Sequence, residues 1–157
     1  MAHAQQVRER LHAGPDRAGE IRAAAGDLQL RLQVSDWDRL GCLLDRLEVT
    51  AARGGRLRFD AERLAATVTY LGEKLRVIET EPGRTALLRS EPPAPQAGQT
   101  AFFEMVADRA RGLVLTRQAF DPGTGERRRV AAALTRQALE RLAEDLLALL
   151  SVVPDPV

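Results

Sequence analysis

Residues 100–134 read TAFFEMVADRARGLVLTRQAFDPGTGERRRVAAAL, and the periodicity of this stretch decides the fold. Three apolar-rich runs, 100–107, 111–120 and 126–134, are separated by Asp108–Ala110 and by the loop Asp121-Pro-Gly-Thr-Gly125. Runs of that length divided by turn residues are strands, and such short turns join neighbours into an antiparallel meander. Strand parity then sorts the side chains. Arg128 shares a face with Val130 and Leu134, whereas Arg127 and Arg129 share the other with Ala131 and Ala133. One face is basic and lined by small residues. Phe102 and Phe103 point to opposite faces, so one belongs to a core. The run Gly112–Thr116 (GLVLT) is apolar on both sides, with Leu113 and Leu115 one way and Val114 the other, and this asks for cover on two faces.

Working outward, Thr135 offers a cap to a helix over 136–150 whose Leu139, Leu142, Leu146 and Leu149 form one stripe, ending before Pro154. Leu147 and Leu150 widen that stripe beyond what a surface helix needs. Upstream, the three prolines of EPPAPQAGQ (91–99) withdraw amide donors and predict an irregular loop. Before it, strands over 74–80 and 84–90 are joined by the Glu81-Pro82-Gly83 turn. Asp60 caps a helix over 61–71 carrying Leu64, Val68 and Leu71. The spacing 64, 68, 71, 75, 78 also continues helically, but Gly72 stops it in our reading. A short strand at 56–59 follows Gly54-Gly55. Leu28, Leu30, Leu32 and Val34 alternate with polar residues, which predicts a strand at 28–34. Ser35, Asp36 and Asp38 then read as the capped first turn of a helix over 36–49, striped by Leu40, Leu43, Leu44 and Leu47. Residues 1–26 form a leader, helical or loosely ordered, broken at Gly14-Pro15 and closed by Gly26. The expected architecture is α+β: a mostly antiparallel sheet with amphipathic helices packed on one face, in a single domain over 27–157.

Apolar residues are 45% of the 157-residue chain and aromatics only 4%, so the core is aliphatic. Of 23 basic residues 22 are Arg, with Lys74 alone; Asn is absent, and Ile occurs only at Ile21 and Ile78. This is the mark of a GC-rich bacterial genome, and it explains the arginines before any ligand is invoked. A net charge of +1 argues against polyanion capture by global charge. Cys42, set among leucines, reads as a buried thiol with no disulfide or metal knuckle available to it. The charged N-terminus lacks a signal-peptide stretch, and the apolar run 146–150 is far short of the ~20 residues of a membrane span. Cytoplasmic residence and no membrane partner are the expectation.

Catalytic motifs are not recognisable. His3 and His12 stand nine apart, off the i, i+4 spacing of helical metal ligands. Ser35, Ser90 and Ser151 lack a Gly-x-Ser-x-Gly elbow, and no Gly-x-x-x-x-Gly-Lys cradle occurs. Asp36 and Asp38 are accounted for as helix caps rather than as a metal pair. We therefore expect no catalytic residue, metal or cofactor, although strand carboxylates such as Glu79, Glu104 or Glu126 leave a small carboxylate enzyme as a third option.

Two binding functions remain. The leading expectation is a non-catalytic protein-interaction or scaffold module, self-associating or docking another protein through Leu113, Val114, Leu115, Leu147 and Leu150. The alternative is a single-stranded nucleic-acid binder. Residues 84–129 carry eight arginines against five acids, and Arg111, Arg117, Arg127, Arg129 and Phe120 would supply guanidinium forks and a stacking platform. The order of three strands and a helix over 100–150 is similar in pattern, without a shared residue motif, to the sheet-plus-helix repeats of PUR and Whirly single-stranded nucleic-acid binders. Membrane-surface docking is disfavoured because the terminal helix carries Glu140, Glu144 and Asp145.

Overall fold

Inward-turned Leu28, Leu30, Leu32 and Val34, with Gln29 and Arg31 outward, make the first long strand of a sheet buried on one side. The computed structural model describes residues 2–91, 94–96 and 98–154. Along the chain come α1 (Ala2–Ala13), β1 (Glu20–Ala25), β2 (Leu28–Trp37), β3 (Gly41–Ala51), β4 (Arg56–Arg58), α2 (Ala61–Thr67), β5 (Lys74–Glu81) and β6 (Thr85–Glu91). They are followed by β7 (Ala94–Gln96), β8 (Gln99–Asp108), β9 (Gly112–Phe120), β10 (Arg127–Val130), β11 (Ala132–Thr135), α3 (Arg136–Leu149) and β12 (Ser151–Val153). Ten strands form one sheet whose main path is β1-β2-β3-β9-β8-β6-β5, with β7 added to β8, β10 to β9 and β11 to β3, while β4 and β12 make a separate pair. The fold is α+β, dominated by an antiparallel sheet.

The registers put Ile21, Leu32, Leu47, Leu115, Met105 and Leu88 in one row across the sheet, and all six are buried. On that same side lie Val7 and Leu11 of α1, Leu64 of α2, and Leu139, Leu142, Ala143 and Leu146 of α3. All three helices thus cover one face. Side chains of this kind contribute about 1.5–3 kcal/mol each when withdrawn from water, so the covered face carries the stability. Asp60 and Thr135 act as N-caps, their side chains accepting from the amides of Arg63 and Ala138.

Near its middle the sheet splits. β3 pairs with β9 only through Leu47, Glu48 and Val49, opposite Leu115, Val114 and Leu113. Beyond that point β10 runs in along β9, from Arg127 opposite Phe120 to Val130 opposite Arg117. After Ala131 the chain runs back out along β3, from Ala132 opposite Leu44 to Thr135 opposite Gly41. Both strands are antiparallel to their neighbours, so together they form a V that fills the gap.

Several expectations are corrected. Residues 36–49 are not a helix: β2 continues to Trp37, Asp38 turns the chain by accepting from the amides of Leu40 and Gly41, and β3 returns. The helical look of Leu40, Leu43, Leu44 and Leu47 comes from irregular pairing. Val34 pairs with Leu44 while Gln33 pairs with Arg46, so Asp45 is skipped and two buried leucines stand three apart. The expected strand 126–134 is broken at Ala131, although the parity of Arg128, Val130 and Leu134 survives. The leader is half helix and half strand, with β1 missed because Ala23 and Ala25 give a weak apolar alternation. Within the Pro-rich stretch, Ala94–Gln96 pairs with β8; residues 92, 93 and 97 lie outside the described ones. α2 stops at Thr67 rather than 71, and β12 was not anticipated.

Candidate binding face

Among the described residues the second face of the sheet carries no helix, and its side chains follow from register. One row runs Arg22, Arg31, Glu48, Val114, Val106, Leu87, Glu79 from β1 to β5. Its centre is an apolar strip, Leu87–Val106–Val114, on three neighbouring strands. Val106 keeps 41% of its surface exposed, and Ile78, which occupies the irregularity in β5 opposite Leu87 and Leu88, keeps 47%. A parallel row holds Phe102, Gln118 and Arg129, and the next Thr100, Phe120 and Arg127.

Charge on this face is largely settled within it. Glu20 receives both Arg22 at 2.6 Å and Arg31 at 2.5 Å, and its carboxyl is held below the usual range chiefly by the Arg22 hydrogen bond. Arg46 meets Glu48 at 2.9 Å, and Arg76 meets Glu91 at 2.8 Å. Glu104 takes Arg89 at 3.1 Å together with Arg127, and both guanidiniums lie over the Phe102 ring, 5.6 and 5.2 Å from its centroid. The Arg129 side chain has no hydrogen-bonding or ion-pair partner among the described residues. Pairs this exposed add only about 0–1 kcal/mol each, but they neutralise the face.

The expected site residues divide between the two faces. Arg127, Arg129 and Phe120 come together on the open side. Arg117 does not: opposite Phe103 on the helix-covered side, it binds Glu73 at 3.0 Å and stacks on the Phe103 ring at 4.6 Å. Arg111 sits in the β8–β9 turn, at the other end of β9 from Phe120. Of the expected interaction residues, Leu113, Leu115 and Leu150 are buried by the chain's own helices and Leu147 packs against that core, so only Val114 faces outward. In GLVLT the chain covers Leu113 and Leu115 and leaves Val114 half-buried on the other side.

Sequence reasoning missed Leu87 and Val106. Their signal was present, since Ala86-Leu87-Leu88 and Met105-Val106-Ala107 are apolar at both parities just as GLVLT is. The carboxylates weighed for catalysis do not converge: Glu104 is engaged by two arginines, Glu79 stands at the β5 margin, and Glu126 lies in the β9–β10 loop. Ser90, buried, donates to Glu73 at 2.5 Å and accepts the Phe103 amide at 2.7 Å, completing the β6–β8 ladder where it ends. Burial pushes the Cys42 thiol up to about 11, which keeps it protonated and unreactive. Among the described residues no three His, Cys, Asp or Glu side chains are grouped to hold a metal, and no helix is long and apolar enough to cross a membrane. No family model, curated protein or solved structure matches the chain significantly.

Proposed function

We propose that the protein is a non-catalytic interaction module that self-associates through its open sheet face. The observation that carries this reading is the Leu87–Val106–Val114 strip, in register across β6, β8 and β9 and left uncovered by the chain's helices. A sheet normally buries apolar residues under a second layer, and an identical face supplies one of matching shape. Edge pairing is the poorer route: β5 is interrupted at Ile78 and carries Lys74, Arg76, Glu79 and Glu81, a pattern that discourages strand addition. A two-fold axis along the strands, between β8 and β9, lays Val106 on Val114 of the copy and sets Leu87 over β3. A polyanion would instead have to break the arginine–carboxylate pairs.

Light scattering on the full chain should give about twice the 17.2 kDa monomer mass at micromolar concentration, with little dependence on salt. Val106→Glu should weaken association by roughly tenfold or more, because it buries an unpaired charge at the centre of the interface. Leu40→Glu, in the β2–β3 turn, should leave it unchanged. A monomer at every concentration contradicts the reading.

Arg127, Arg129 and the partly exposed Phe120, grouped at the split end of the sheet, favour a second reading, single-stranded nucleic-acid binding. A labelled oligothymidylate should then bind at low salt with log-linear loss as salt rises, and reversal of Arg127 and Arg129 to Glu should abolish binding. Absence of titratable binding at low salt removes this reading.

A further inference from the structure

The strand β10, inserted where β3 and β9 part, brings its Arg129 side chain beside those of β2 and β3, and a hollow of about 230 Å³ forms there. Its walls are Arg31 and Gln33 of β2, Arg46 and Glu48 of β3, and Arg129 of β10. We propose that this hollow binds one small tetrahedral oxyanion, of the inorganic phosphate or phosphate-monoester class.

Three features support it. First, charge is not balanced here as it is elsewhere on the face. Arg22, Arg31, Arg46 and Arg129 face only Glu20 and Glu48, so two positive charges stay uncompensated. Second, the unpartnered guanidinium in the lining is that of Arg129, on the inserted strand. Arg22, Arg31, Arg46, Arg76, Arg89 and Arg127 each hold a carboxylate, whereas Arg129 projects into the hollow with its donors unused. A guanidinium fork matches two oxygens of a phosphate, and such charge-assisted bonds are about twice as strong as neutral ones. Third, the wall is fixed. The Gln33 amide nitrogen donates to the Ala18 carbonyl at 2.9 Å, and Glu48, the one carboxylate in the lining, is already neutralised by Arg46. The volume suits a single phosphoryl group rather than a run of polymer.

The test is a titration of the full chain with inorganic phosphate at low ionic strength, following the arginine Nε–Hε resonances, with chloride at matched ionic strength as the reference. Saturable shifts at Arg129, Arg46 and Arg31 are expected. Arg129→Gln should weaken binding about tenfold, while Arg111→Gln, at the opposite end of β9, should change nothing. No saturable response beyond chloride, or equal loss in both variants, overturns the proposal. The titration is repeated on Val106→Glu, so that failure of phosphate binding and failure of self-association are read separately.

Discussion

Arg136 joins three parts of the chain at one point. Its guanidinium lies 3.9 Å from the Trp37 ring centroid and donates to the carbonyls of Asp38 at 2.8 Å and Leu11 at 3.1 Å. It therefore ties the end of α1 and the β2–β3 turn to the start of α3. Arg136→Ala should lower unfolding stability by about 2–3 kcal/mol, read from the urea midpoint at unchanged slope, and Lys should recover little because an ammonium cannot both fork and stack. Asp38 in the same turn has its carboxyl held below the ordinary value by the amides of Gly41 and Leu40. A depressed carboxyl stabilises above its unfolded value and loses that contribution as pH falls through the folded one. The deficit of Asp38→Asn should thus be full at neutral pH and close under acid, which thermal melts across that range will show. Cys42 should resist alkylation at pH 8 until urea opens the core, because its thiol ionises only near 11. Burial of Cys42 was legible from its leucine neighbours. The Arg136–Trp37 clamp was not, since its partners lie 99 positions apart and no local pattern records them.

At the scale of elements, the sequence exposed those whose side chains keep a strict period. β2, the β5–β6 hairpin, the β8–β9 meander and α3 were all legible, as were the caps at Asp60 and Thr135. β3 was hidden because skipping one residue shifts its apolar spacing from two to three, which is the local signature of a helix. β1 was hidden by alanines, and β7 by Pro95, which lies on a strand paired on one side only, where a proline is tolerated. Two predictions belong here. Leu11→Ala, which empties a fully buried position under α1, should cost about 2–5 kcal/mol by urea denaturation. Gly112 opens β9 at a φ of 112°, and a Cβ there would stand 2.6 Å from the Val49 carbonyl oxygen, at the only stretch where β3 meets β9 among the described residues. Gly112→Ala should therefore destabilise by about 1–3 kcal/mol and loosen amide protection in both strands.

At the scale of the molecule, the decisive asymmetry is a sheet with three helices on one face and, among the described residues, none on the other. Strand parity announced it, because the basic and small-residue side of 126–134 was predicted to lie opposite the leucines. What parity could not supply was the order of strands, and only that order lines Leu87, Val106 and Val114 into a strip; Arg117 shares the parity of Leu113 and Leu115, the covered side. In the proposed assembly this strip meets its own copy. Isotope-filtered NOE spectroscopy on an equal mixture of methyl-labelled and unlabelled chains tests it most directly. Intermolecular cross-peaks from the Leu87, Val106 and Val114 methyls are the predicted result; cross-peaks arising only from other surfaces, or none at all at millimolar concentration, would contradict it.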